Sequence, residues 1–221
     1  VVIDGQDTAI TSSSDGGGRV GIWGVDVSIT NGARIKIYQT GNENSSPSNG
    51  VTVKASSFRM ANEGVVDLEK TSPGIPENVY IYAAGNISVL SESNIYNKGY
   101  SGEDGAIING NIKMVSGGSI LFKGIVTDGP GSAGTGISGG NIYLYSEGPL
   151  KLTDESHASG YSAPNPTVST ISSANSVSVS NGSQIRIGSG FYDSSTASLS
   201  IRADSLIMSG AGTLIYVASG I

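Results

Sequence analysis

An eleven-residue block recurs along this chain at intervals of 27 to 33 residues. It is apolar at its first, third, ninth and usually eleventh positions. Its clear copies are Val27–Ile37, Phe58–Leu68, Ile87–Asn97, Val177–Ile187 and Leu206–Tyr216. Looser copies begin at Ile120 and Leu150, and a partial copy spans Val2–Ile10. Self-similarity at a nearly fixed period predicts a solenoid, in which each repeat stacks on the previous one.

A second pair of positions, usually apolar, precedes each block by seven or eight residues. The pairs are Val20 and Ile22, Val51 and Val53, Val79 and Ile81, Ile112 and Met114, Ile142 and Leu144, Ser169 and Ile171, and Leu199 and Ile201. Side chains alternate across a strand, so each i, i+2 pair faces one side. Each coil is therefore predicted to hold a strand A with this pair and strands B and C from the block. In the coil that starts at Ile142, His157 and Ser159 are predicted to point inward from strand C.

The prolines support this register. Six of the seven follow strand C, and Pro149 directly precedes a strand B, so none would remove a ladder hydrogen bond. Polar loops are predicted at Gly41–Gly50, Ser101–Gly110, Thr127–Gly140 and Gly188–Ala197. The chain is thus predicted to be all-β: one right-handed parallel β-helix domain over residues 1–221, with about eight turns. The alternative is an antiparallel sandwich or barrel, which also uses many short strands.

Composition narrows the possible partners. The net charge is −6 and no Lys/Arg cluster is present, which argues against nucleic acid. No apolar run reaches the roughly 20 residues of a membrane span, so membrane insertion is not expected. There are no cysteines for disulfides or thiolate metal sites. The chain begins Val1-Val2 without Met, which predicts a trimmed product or one segment of a longer assembly.

The repeat resembles a known family. Gly139–Leu144 reads G-G-N-I-Y-L and is followed by L-K-L at Leu150–Leu152, while Val177–Ile185 reads V-S-V-S-N-G-S-Q-I. These segments are similar to the repeats of filamentous-haemagglutinin-type exoproteins. The resemblance implies a right-handed β-helix, bacterial secretion, and a role in adhesion or surface structure.

The residues offer few candidates for catalysis. His157 is the single histidine, and its neighbours Ser156 and Ser159 make a weak case for a nucleophilic site. Glu63 and Glu92 are predicted to occupy equivalent bends in successive coils, about 5 Å apart. Such a pair is a weak candidate for a cation site, and a solvated bend is the simpler interpretation. We therefore expect a protein that is not an enzyme and that uses no cofactor or metal.

The strongest functional feature is an outward row of aromatic side chains on strand A. Alternation places Trp23, Lys54, Tyr82, Val115 and Tyr145 in one file. Gly21, Thr52, Tyr80, Lys113 and Tyr143 form the neighbouring file. Trp and Tyr combine an apolar ring with a polar group, which suits stacking on sugars or on a protein surface. The alternative is packing between exposed rings within the sheet.

These features predict a secreted, cell-surface protein that acts as a structural or adhesive β-helix. Its partners would be surface glycans or proteins, or further copies of itself that pair head to tail into a filament. The predicted assembly edges are Val2 and Ile10 at one end and Leu214 and Val217 at the other. The alternative is a polysaccharide-binding or polysaccharide-degrading protein on the same fold. Glycosylation motifs N-x-[ST] occur at Asn44, Asn86 and Asn181.

Overall fold

The computed structural model describes residues 1–14, 18–40, 49–70, 77–98, 110–124, 135–162, 167–189 and 196–218. Within these ranges the chain is all-β, and its strands stack in parallel as a β-solenoid. In chain order the strands are β1 (Val2–Asp4), β2 (Ala9–Ser14), β3 (Val20–Thr30), β4 (Arg34–Gln39), β5 (Asn49–Ala61), β6 (Val65–Lys70), β7 (Asn78–Ala83), β8 (Ile87–Leu90), β9 (Asn94–Lys98), β10 (Ile112–Ser116), β11 (Ile120–Lys123), β12 (Gly136–Gly139), β13 (Ile142–Ser146), β14 (Leu150–Thr153), β15 (His157–Ser162), β16 (Thr167–Ser173), β17 (Ser176–Ser180), β18 (Gln184–Ser189), β19 (Ala197–Arg202), β20 (Ser205–Ser209) and β21 (Leu214–Ala218).

Two sheets form the walls of the solenoid. Strands A and B share a 13-stranded sheet, because β3 and β5 each run from strand A into strand B without a break. The C strands form an 8-stranded sheet in the order β2-β4-β6-β9-β12-β15-β18-β21. Neighbouring strands come from successive repeats, and every pairing between described strands is parallel, as between β10 and β13. The parallel arrangement excludes the antiparallel sandwich and barrel.

Equivalent apolar residues stack into columns inside the solenoid, as the repeat predicts. The strand A column contains Ile22, Val53, Ile81, Met114, Leu144, Ile171 and Ile201. The strand B column contains Val27, Phe58, Ile87, Ile120, Leu150, Val177 and Leu206. The strand C column contains Ile10, Ile35, Val66, Ile95, Ile137, Ala158, Ile185 and Ile215. Members of the inner coils are buried, and this removal of apolar surface from water drives the stacking.

The structure also explains why Ser169, a polar residue, stands at an inward position of strand A. Ser169 is buried, and its Oγ accepts a hydrogen bond from the backbone N–H of Ile142 at 3.0 Å. A buried hydroxyl that is hydrogen-bonded in this way costs little compared with an orphaned one.

Three predicted details of strand C are wrong. Ala158 and Gly160 are buried on β15, so His157 and Ser159 face away from the solenoid core. Residues 136–139, which we placed in a loop, form β12 and pair with β9 and β15. In that coil the polar insertion lies between strands B and C, because β11 ends at Lys123 and β12 begins at Gly136.

The last coil carries a further correction. The turn before β21 is one residue longer than in the preceding repeat, and Gly210 and Gly212 have positive φ angles of 87° and 73° there. Ile185 therefore pairs with Ile215 rather than with Leu214. The inserted residue shifts the alternation by one, so Leu214 is outside the inward column.

At the first coil, alternation also places Val2 outside the column. Ile3 pairs with Ile29 and is buried, while Val2 pairs with Ser28 and is 74% exposed.

Candidate functional site

The strand pairing builds the two predicted outward files. Trp23 pairs with Lys54, Lys54 with Tyr82, Tyr82 with Val115, and Val115 with Tyr145. In the neighbouring file, Gly21 pairs with Thr52, Thr52 with Tyr80, Tyr80 with Lys113, and Lys113 with Tyr143. We call the surface formed by Trp23, Tyr80, Tyr82, Tyr143 and Tyr145 the aromatic face. Its five rings belong to three strands of one sheet, β3, β7 and β13, which alternate with β5 and β10.

Two rings of the aromatic face stack on each other, and a third lies over the backbone. Tyr80 and Tyr82 stack with their ring centroids 6.2 Å apart and an angle of 2° between planes. The Trp23 indole folds over Gly21, where a Cβ atom would clash with the ring. Trp23 is nevertheless 64% exposed, so the other side of the indole faces solvent.

Charge and hydroxyl groups border this surface. Lys113 Nζ lies 5.7 Å from the centroid of the Tyr145 ring, within reach of a cation–π interaction. Burial raises the pKa of Tyr82, and neighbouring Tyr80 raises it further. Burial likewise raises the pKa of Tyr143, with smaller contributions from Tyr145 and Tyr80. Tyr82 and Tyr143 therefore keep their protons at neutral pH and can donate hydrogen bonds.

The candidate cation site lies at the bend between strands B and C. Glu63 and Glu92 occupy equivalent places, because the Glu63 N–H donates to the Ser91 carbonyl at 3.0 Å. Both have positive φ, 63° in each case, a backbone region that non-glycine residues rarely adopt. Together with Gln6, Asn31, Asn62 and Ser91 they line a depression of about 340 Å³.

The chemistry around that depression is mostly amide and hydroxyl. Asn62 Nδ2 donates to Asn31 Oδ1 at 3.0 Å, and Glu92 N–H donates to Thr135 Oγ1 at 2.6 Å. Within the described ranges, no group of three or more His, Cys, Asp or Glu side chains is suited to a metal ion. A cation at Glu63 and Glu92 stays a prediction.

His157 sits on β15 in a setting that separates it from its serine neighbours in sequence. Its Nε2 lies 3.5 Å from Ser138 Oγ on β12. Ser156 Oγ instead donates to the Phe122 carbonyl and lies 3.3 Å from Ser183 Oγ. Burial lowers the pKa of His157, and the positive charge of Arg186 lowers it further. The Ser156–His157 pair considered from sequence is therefore not brought together.

The predicted assembly edges lie at the two ends of the described chain. Val2 is 74% exposed and Val217 is 43% exposed, while Leu214 is also exposed and Ile10 is half-buried. Exposed Leu206, Met208 and Tyr216 lie in the same last coil as Leu214 and Val217.

The glycosylation motifs fall in different settings. Asn86 is exposed, and its Oδ1 accepts hydrogen bonds from Ser119 N and Oγ at 2.9 and 3.0 Å. Asn181 is exposed and donates from Nδ2 to Asp154 Oδ1 at 2.9 Å. Asn44 lies outside the described residues.

Comparison with known proteins gives no relative. No protein-family model matches the chain, and no curated protein or solved structure matches it. The similarity to filamentous-haemagglutinin-type repeats stays a prediction from sequence. In the part of the chain that the structure describes, no helix has the length and hydropathy of a membrane span.

One group of buried polar residues was missed by the sequence analysis. Lys70, Glu77 and Asn97 are 3%, 6% and 1% exposed, and they line one small cavity. The repeat already contained an indication of this group. Asn97 occupies the eleventh position of its block, and Leu68 occupies that position in the preceding block. A polar residue at an inward position indicates an internal polar site.

Proposed function

We propose that this chain is a secreted, cell-surface adhesive β-solenoid that binds glycans through its aromatic face. One observation carries the proposal: five aromatic side chains from three alternate coils align on one outward wall. Sugar rings present C–H faces that stack on aromatic rings, while their hydroxyls pair with polar groups at the ring edges. The Tyr hydroxyls, Lys54 and Lys113 supply such groups. The parallel stacking also makes the wall stiff, so the rings are held in place before a ligand arrives.

The test is an array of neutral and acidic oligosaccharides, followed by calorimetric titration with the best-bound member. The Tyr80→Ser and Tyr143→Ser double variant removes two rings of one file, on either side of Lys113. Each ring is worth about 0.5–1.5 kcal/mol, so we expect about tenfold weaker binding or more. The circular dichroism spectrum and Tm should stay close to those of the wild type, because both side chains face outward.

Tyr38→Ser is the matched control, since Tyr38 is a half-buried tyrosine on β4 in the other sheet. It should leave glycan binding unchanged. Binding that survives the double variant, or that falls equally in Tyr38→Ser, would remove the aromatic face from the proposal. An array with no binder at all would redirect the search to protein partners.

A second candidate function is end-to-end association. In the last coil, Leu206, Met208 and Val217 are 43–49% exposed, and among the described strands β19, β20 and β21 each have one pairing partner. Unpaired strand edges with apolar side chains are templates for a further strand. A second copy of residues 1–221 could supply it at its β1–β3 end. In a longer product the same face would accept a further coil, so the test concerns residues 1–221.

Electron microscopy of purified residues 1–221 across a concentration series tests this association. Filaments that disappear in a Met208→Lys variant would support it, because a charge on the exposed edge opposes pairing. Single short rods at every concentration would count against it.

A further inference from the structure

The small cavity at the meeting of strands C and A holds an amine, an amide and a carboxyl group. Lys70 is the last residue of β6, Asn97 lies on β9 in the next coil, and Glu77 precedes β7. Asn97 pairs with Leu68, so Lys70 is its diagonal neighbour two residues along the adjacent strand. Diagonal neighbours on one face of a sheet are within reach of long side chains. The three side chains line a cavity of about 10 Å³, which is the size of one water molecule.

Two glycines make room for these groups. At Gly110 a Cβ atom would clash with both terminal atoms of the Asn97 side chain. At Gly50 a Cβ atom would stand 2.7 Å from Glu77 Oε2 and 2.8 Å from a Leu68 methyl group. The backbone therefore approaches the amide and the carboxyl group closely. Both side chains are confined by packing.

The Asn97 amide is held in one orientation. Its Nδ2 donates to the Glu77 carbonyl at 2.8 Å and to the Asn111 carbonyl at 3.2 Å. Its Oδ1 is buried and accepts no hydrogen bond among the described residues, and Lys70 Nζ likewise makes none there. Leaving a buried polar group unsatisfied costs about 1–3 kcal/mol, and more for a charged one. Such groups are uncommon in native structures, and each calls for an explanation.

The electrostatic setting of Lys70 shifts its protonation equilibrium toward the neutral amine. Burial lowers the pKa of Lys70, and the Glu77 carboxylate opposes this effect only in part. A neutral amine is a nucleophile, whereas an ammonium ion is not. The Glu77 carboxyl group lines the same cavity, and a carboxyl group can take up a proton and deliver it to another atom.

We propose that Lys70 and Asn97 are a modification site, at which their side chains join in an intramolecular amide bond. Lys70 Nζ forms a bond to Asn97 Cγ, and the bond from Cγ to Nδ2 breaks. Glu77 relays one proton from Nζ to Nδ2, which leaves as ammonia. The atoms balance without any oxidant or cofactor: an amine and a primary amide give a secondary amide and ammonia.

The bond has a clear structural consequence. It replaces an orphaned amine with an amide and links two adjacent coils of the solenoid covalently. A cross-link restricts the unfolded chain more than the folded one, so it stabilises the fold. The inference concerns the interior and stands independently of glycan binding at the aromatic face.

The test is intact mass spectrometry of purified residues 1–221 under denaturing conditions. We expect a mass lower than the sequence mass by one ammonia molecule. Protease mapping should yield one branched peptide that contains both Lys70 and Asn97, with no tryptic cleavage after Lys70. A wild-type mass equal to the sequence mass would overturn the proposal and leave a water-filled polar cavity.

Variants distinguish the loss of ammonia caused by this bond from the loss caused by other reactions, such as cyclisation at Asn-Gly sequences. Lys70→Arg and Asn97→Ala should restore the full mass. Lys36→Arg on β4, the matched control, should keep the wild-type loss. Loss of ammonia that persists in Lys70→Arg would overturn the assignment. Glu77→Gln should leave most molecules unlinked, and a wild-type extent of linkage in that variant would overturn the relay role of Glu77.

Discussion

At the scale of single residues, His157 shows how the wall of the solenoid changes an ordinary side chain. Burial, with Arg186 as a second cause, lowers its pKa below the usual 6.5. The folded chain therefore holds a neutral imidazole under conditions where the unfolded chain binds a proton. Stability rises with pH wherever the unfolded state binds more protons. The contribution of His157 is complete above pH 6.5 and falls as pH drops toward the lowered folded pKa.

The His157→Gln variant tests this linkage. Between about pH 7 and pH 5 the wild-type Tm should fall more steeply than that of the variant, because glutamine does not titrate. Thermal melts followed by circular dichroism at half-unit pH steps would measure the difference. Carboxylates titrate lower and affect both proteins alike. Parallel curves for the two proteins would show that His157 is equally accessible to protons in the folded and unfolded states.

At the scale of elements, the outward side of strand A depends on one glycine. The Trp23 indole lies over Gly21, and a Cβ atom at that position would clash with the ring. We predict that Gly21→Ala turns the indole away from the sheet. Trp23 is the single tryptophan, so its fluorescence reports this directly. Acrylamide quenching should increase, and any glycan bound at the aromatic face should bind more weakly.

Thr52→Ala is the matched control for Gly21→Ala, since Thr52 pairs with Gly21 on the adjacent strand. The substitution makes the side chain at position 52 smaller and adds no atom that could clash with the indole, so the indole should keep its position. Unchanged quenching in Gly21→Ala would mean that the backbone, rather than the ring, shifts to admit the methyl group.

The same scale shows what the sequence could predict. Strands A and B were predicted in register because two apolar residues at i, i+2 recur in nearly every coil, as Ile81 and Met114 do in one column. Strand C was harder to predict, since its inward positions accept Ala158, Gly160 and Asn97 as well as aliphatic residues. A one-residue insertion before β21 shifted the alternation of the last strand. The length of the turn before β21 determines which residues of that strand point inward, and the spacing of apolar residues does not define this length.

The sequence predicted which residues form the candidate site, but it did not predict how their side chains pack. Alternation placed the aromatic side chains in two outward files, and the pairing of Lys113 with Tyr80 and Tyr143 confirms that placement. The position of the Trp23 ring over Gly21 depends on a side-chain rotamer, which no spacing encodes. The cavity at Lys70 and Asn97 depends on close approach of the Gly50 and Gly110 backbones from neighbouring strands. Both are properties of packing rather than of pattern.

At the scale of the whole molecule, stability comes from columns in which each residue packs between equivalents above and below. Ile81 is fully buried between Val53 and Met114, whereas Ile201 is the last described member of the same column, pairs with Ile171 and is only partly buried. The cost of a truncation depends on how much burial is lost and on the cavity that remains. Identical substitutions along one column should therefore have unequal effects.

We predict that Ile81→Ala lowers the free energy of unfolding by about 2–5 kcal/mol, the usual cost of a large-to-small change in a packed core. Ile201→Ala should cost about 1 kcal/mol, since its side chain is only partly buried. Urea denaturation followed by circular dichroism gives both values. Because solenoid coils interact mainly with their neighbours, Ile81→Ala should also broaden the transition by weakening coupling between the two halves. Equal losses in the two variants would show that the last coil is covered in solution, as end-to-end association requires.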